Sequence, residues 1–212
     1  MARQHNIAMK YTFSADFDCE AEIITGIDGD VWDINGSHFV KMQMGGKDGI
    51  DYVTGITGEK NIEVTVKEYI RTDFKAEQTN QNTDKSIFRH IKFTAKADKE
   101  YTFEKIAEIT TSADDFGVNG KIEELNYREL KAEHKAEWDK IWDISQIHID
   151  GDDEAEYALN YSVYHLSCIA PRNMKGKSIP ARGLSGQVYK GAVFWDTEMF
   201  MIDYSDCNID NL

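Results

Sequence analysis

The sequence predicts an α+β protein, an antiparallel β-sandwich followed by helices. Three observations carry this. Residues 1 to about 112 read as short strands separated by glycine-centred turns, with no helical stretch between them. From about Gly120 the apolar spacing changes to a helical one. Both prolines, Pro171 and Pro180, fall in the last fifth of the chain and mark a further change of architecture there.

The strand reading rests on alternation. KYTFSADF and EAEIITGI alternate loosely, and NIEVTVKEYI alternates clearly, with Ile62, Val64 and Val66 on one side and Glu63, Thr65 and Lys67 on the other. FRHIKFTAKA and KEYTFEKIAEITT continue the pattern and are rich in β-branched and aromatic residues. Between these lie turn-rich pieces, GIDGDVWDINGS, MGGKDG and QTNQNTDKS. Asp28-Gly29, Asn35-Gly36 and Asp48-Gly49 read as tight-turn dipeptides, since glycine accepts a positive φ.

The stretch KIEELNYRELKAEHKAEWDKIWDIS carries helix formers and no breaker, with Leu130, His134, Trp138, Ile141 and Trp142 near one face. QIHIDGDDEA comes next as a short extended piece turning at Gly151, with Asp152 or Asp153 as a helix N-cap. The second helix, EAEYALNYSVYHLSCIA, holds only Glu154 and Glu156 as charges and expects burial against other helices. It ends at Pro171, and a long glycine-containing loop leads into GQVYKGAVFWDTEMF.

Composition narrows the function. With 212 residues, 41% hydrophobic and 29% charged, the chain is globular and large enough for a substantial core. A net charge of −14 disfavours a nucleic-acid backbone or an acidic membrane surface. No run approaches the ~20 apolar residues of a membrane span, and the N-terminus lacks a signal core. Cys19, Cys168 and Cys207 are widely spaced and odd in number, which predicts reduced thiols and a cytoplasmic location rather than a disulfide framework or a zinc site.

Several tempting motifs fail. Gly176-Lys177-Ser178 would need a glycine where Pro171 stands to be a phosphate loop, and MGGKDG does not open a helix after a strand. Trp32 interrupts the acids Asp28, Asp30 and Asp33 where a calcium loop needs Asp or Asn. No HExxH occurs, so no metal or cofactor is expected, and His134 and His165 read as ordinary helix residues.

The run Phe194-Trp195-Asp196-Thr197-Glu198 is different. It is either a buried helix start capped by Asp196, or a sugar-binding wall in which an indole covers the C–H face of a pyranose and a carboxylate accepts from its hydroxyls. Asp196 and Glu198 would point apart in a helix but share a face in an extended segment, at roughly 6–7 Å. The flanking Val193, Met199 and Met201 decide neither.

The run SIPARGLSGQVYKGAVFWDTEMFM resembles the signature of glycoside hydrolase family 65, the inverting α-glucoside phosphorylases acting on kojibiose, nigerose, maltose or trehalose. GIDGDVWDINGSHF resembles a segment of that family's sandwich, closer to the kojibiose and nigerose members. HKAEWDKIW resembles its linker helix, and GDDEAEYALNYSVYHLSCIAPRN the first helix of its (α/α)6 barrel. The resemblance spans about residues 7 to 202 in order. It implies a partial β-sandwich over 1–115, a helical linker over 116–150, and the start of an (α/α)6 catalytic barrel over 151–212. By the resemblance, Trp195 and Asp196 line the subsite of the glucosyl unit whose bond is broken, with supporting places for Phe194 and Glu198. The implied partners are an α-linked glucose disaccharide and inorganic phosphate as co-substrate. Phosphate attacks the anomeric carbon while a glutamic acid protonates the leaving oxygen.

Departures from the pattern qualify the expectation. The family's catalytic glutamate and phosphate-binding residues lie beyond the FWDTE motif, so no catalytic residue is assigned in this chain. Ala192 stands where a histidine is common, and the tail IDYSDCNIDNL leaves the pattern. The reading is therefore an internal fragment, inactive alone, with a helix over 154–170 left without barrel partners. Each exposed side chain among Leu159, Val163, Leu166 and Ile169 would forgo roughly 1.5–3 kcal/mol of burial. Marginal stability, or association through that helix into homo-oligomers or aggregates, is expected. The alternatives are a non-catalytic carbohydrate-binding or interaction sandwich, and a hydrolase sibling of the same family.

Overall fold

Ten strands, a 3-10 turn and two helices make up the computed structural model, which describes residues 2–33, 36–114, 117–118 and 120–169. The strands are β1 (Asn6–Phe13), β2 (Cys19–Asp28), β3 (Trp32–Asp33), β4 (Gly36–Ser37), β5 (Phe39–Lys47), β6 (Ile50–Thr57), β7 (Glu63–Thr72), β8 (Glu77–Asn82), β9 (Ser86–Ala95) and β10 (Tyr101–Thr111). A five-stranded sheet runs in the order β1-β10-β7-β6-β5, and a three-stranded sheet in the order β2-β9-β8, while β3 and β4 form a short ribbon. Every pairing within the two larger sheets is antiparallel, as the strands without intervening helices require.

Alternation decides which side chains meet between the sheets. Val53 pairs directly with Val66 and Gly55 with Val64, so the valines predicted to share a face do point inward together. Ile27, Val53 and Ile87 form one core cluster with Met42, Met44 and Val66 packed on it. At the other end Phe93, Ala95 and Tyr101 gather Phe13 and Phe74 into a knot of rings, with centroids 4.3 Å apart for Phe74–Phe93 and 5.2 Å for Phe93–Tyr101.

The opposite face of the five-stranded sheet is also covered. Ile106 of β10 packs with Ile122 of the 3-10 turn η1 (Ile122–Glu124), with Leu125, and with Leu130 of helix α1 (Tyr127–Ser145). Arg71 of β7 donates to the carbonyls of Leu125 and Glu123 and so fastens this connection to the sheet. Arg3 makes a two-pronged bond to Glu133, at 2.7 and 2.8 Å, which ties the N-terminal segment to α1.

Four details correct the sequence reading. QTNQNTDKS is not only a turn: Glu77–Asn82 forms β8, an exposed polar strand whose residues lack the β-branched signal. Likewise Gly45 and Gly46 of MGGKDG lie inside β5. The turn comes after them at Asp48 and Gly49, whose φ values of 53° and 81° make a two-residue hairpin of the predicted kind. Gly29 serves a different purpose from a turn, because a Cβ there would stand 2.3 Å from Met42 Cε and 2.5 Å from the Lys85 carbonyl. Finally, α1 starts at Tyr127 rather than near residue 120, because the Asn126 side chain accepts from the Glu129 amide at 3.0 Å and caps the helix there.

Of the described residues, 2–32 and 37–138 belong to one unit and 33, 36 and 139–169 to a second. No helix among the described residues is long and apolar enough to cross a membrane.

Candidate functional site

The residues that the sequence marks for glucose recognition, Trp195 and Asp196 with Phe194 and Glu198, lie outside the described residues. The structure does show the helix that precedes them and how it is held. Helix α2 (Asp153–Ile169) begins where Gly151, at φ 87°, turns the chain, and the Asp152 carboxylate caps it by accepting from the Ala155 amide at 3.0 Å. This is the cap expected from the sequence, resolved to Asp152.

One side chain fixes α2 to the connection before it. Asn160 Nδ2 donates to the Ile147 carbonyl at 2.8 Å, while its Oδ1 accepts from the Ile147 amide at 3.0 Å. Glu156 adds a bond from the Ile149 amide at 2.9 Å, and His148 Nδ1 lies 3.6 Å from its other oxygen. Helix side chains thereby satisfy three backbone groups of this extended segment, which has no strand partner among the described residues.

Between the C-terminal part of α1 and α2 lies a cavity of about 530 Å³, lined by Trp142, Tyr157, Asn160, Glu156 and three aspartates, Asp139, Asp143 and Asp153. Aromatic rings beside carboxylates can recognise a polyol, but among the described residues no group of three or more His, Cys, Asp or Glu is placed to hold a metal ion. Two further features bear on the helix's exposure. Val163 and Ser167 are buried, whereas Tyr157 is 72% exposed and Leu159 44% exposed. Val163, buried, and Leu166 and Ile169, half-buried, therefore depart from the expectation that all four apolar positions are left in water; only Leu159 of the four is exposed.

Sequence motifs give no sign of the buried charges of the sandwich. Asp51 and Glu68 face each other directly across β6 and β7, on the inner face, at 2% and 0% exposure. Side-by-side carboxylates are tolerable there because each has a cation. Arg89, from the opposite sheet, donates to Asp51 from Nε at 2.9 Å and again from Nη2, and Asn80 Nδ2 adds a bond at 3.1 Å. Lys105 Nζ stands 2.5 Å from Glu68 Oε2 but directs its hydrogens to Thr25 Oγ1 and the Gly26 carbonyl, each at 3.0 Å. Glu68 is thus held by charge without a well-aimed hydrogen bond. Both cations bridge the sheets, so this polar layer is structural. The signal lies in the period: Asp51 precedes Val53, and Glu68 comes after Val66, on the inward parity.

Electrostatics elsewhere depends on local hydrogen bonding. The Arg3 guanidinium holds the Glu133 carboxyl below its ordinary value, and Glu133 raises Arg3 in return. The Ser86 hydroxyl and the Asp30 amide lower Asp28.

The described residues thus make a two-sheet antiparallel sandwich succeeded along the chain by two helices. Comparison with known proteins gives this architecture its family. Residues 1–141 match the family described as glycosyl hydrolase family 65, N-terminal domain, and residues 160–209 match glycosyl hydrolase family 65 central catalytic domain. The chain belongs to glycoside hydrolase family 65. It is 39% identical over 234 aligned residues to a nigerose phosphorylase of Lachnoclostridium phytofermentans, covering 96% of this chain and 31% of that protein. A 1,2-alpha-glucosylglycerol phosphorylase of Bacillus selenitireducens is 37% identical over 93% of this chain and 26% of its own length. A protein from the human microbiome, described as a kojibiose phosphorylase, superposes with a TM-score of 0.80 at 19% identity, over 94% of this chain and 28% of its own. The chain thus spans about a third or less of the length of these relatives.

Proposed function

We propose that this chain carries part of the glucosyl subsite of an inverting α-glucoside phosphorylase, the class that splits an α-linked glucose disaccharide with inorganic phosphate into β-glucose 1-phosphate and glucose. In this reading Trp195 covers the apolar face of the glucosyl ring and Asp196 accepts hydrogen bonds from its hydroxyls, with Phe194 and Glu198 supporting them. The single observation behind it is the match of residues 160–209 to the family's central catalytic domain, which encloses all four residues. That relatives named as nigerose and 1,2-alpha-glucosylglycerol phosphorylases align along nearly the whole chain supports the phosphorylase class. The division into sandwich over 1–115, linker over 116–150 and barrel start over 151–212 belongs to the same proposal, as does a cytoplasmic location.

No general acid is assigned to any residue here, so the expected behaviour of the isolated chain is glucoside binding without turnover. Saturation-transfer NMR with nigerose, kojibiose and glucosylglycerol tests this. Transfer to the glucosyl protons that disappears in Trp195→Ala and Asp196→Asn supports the reading. No transfer from any α-glucoside, or transfer unaffected by both substitutions, refutes it. Phosphate-dependent release of β-glucose 1-phosphate would show that this chain supplies a proton donor after all. Release of free glucose in phosphate-free buffer would show a hydrolase instead.

A further inference from the structure

We draw no further inference here: the strongest candidate, the cavity between α1 and α2 lined by Trp142, Tyr157 and a cluster of carboxylates, carries nothing because no described residue shows what occupies or covers it.

Discussion

Replacing Arg89 by methionine should be among the most damaging single changes in the sandwich. Arg89 is 7% exposed and serves Asp51, the Gly49 carbonyl at 3.2 Å and Gln78 Oε1 at 3.4 Å. Methionine fills much of the same volume but leaves Asp51, 2% exposed, with only the Asn80 amide at 3.1 Å. Breaking one side of a buried ion pair costs about 3–5 kcal/mol, since the remaining charge keeps its desolvation penalty. Urea unfolding monitored by far-UV circular dichroism near neutral pH gives the loss directly. The companion is Asp51→Leu together with Arg89→Met. If the cost in the single variant is the orphaned carboxylate, removing both charges should return stability to within about 1 kcal/mol of wild type or better. A single variant that loses less than about 1 kcal/mol, or a double variant no better than the single, refutes the reasoning.

Particular contacts elsewhere make further predictions. Gly26→Ala should destabilise by roughly 1–3 kcal/mol, because its Cβ would stand 2.2 Å from the Ile87 carbonyl and 2.8 Å from Phe88 Cα, both backbone; the urea midpoint reads this. Phe93→Ala should cost about 3–5 kcal/mol in the same assay, since the ring touches Phe13, Phe74 and Tyr101. The Glu133 carboxyl is held below its ordinary value by Arg3, so its contribution is present above the ordinary carboxylate range and is lost as pH falls through the lowered value. The gap in melting temperature between wild type and Glu133→Gln, measured from about pH 6 downward, should therefore close in acid. Replacing Tyr157, Leu159 and Tyr161 of α2 by serine should lower any tendency to aggregate, read by light scattering, without moving the melt of the sandwich.

The strands are legible where one face is apolar and the other polar. The sequence NIEVTVKEYI announces β7 because both of its faces are constrained, one by the opposite sheet and one by partial solvent. β8 is not legible: Glu77–Asn82 is exposed on every residue, and it is a strand only because β9 offers it a ladder. Helix composition cannot place the start of α1, since Ile122, Glu123 and Glu124 are as helix-compatible as the residues of the helix itself. Asn126 decides it, through one hydrogen bond to the Glu129 amide. For the site, the chemistry of Trp195 and Asp196 is readable as a residue pair, while the separate cavity lined by Trp142 and Asn160 depends on how α1 and α2 meet, which no local pattern encodes.

Helix α2 shows why burial and sequence disagree in an informative way. Its composition asks for burial on most sides, yet the positions that are buried, Val163 and Ser167, make a narrow stripe, one of them polar. The aromatic side, with Tyr157 72% and Tyr161 54% exposed, faces away from that stripe and carries the stacked pair whose ring centroids are 6.3 Å apart. In the proposed reading of α2 as the first helix of a helical domain, this aromatic side is the surface that further helices of such a domain would cover, and the match to the central catalytic domain, beginning at residue 160, supports that reading.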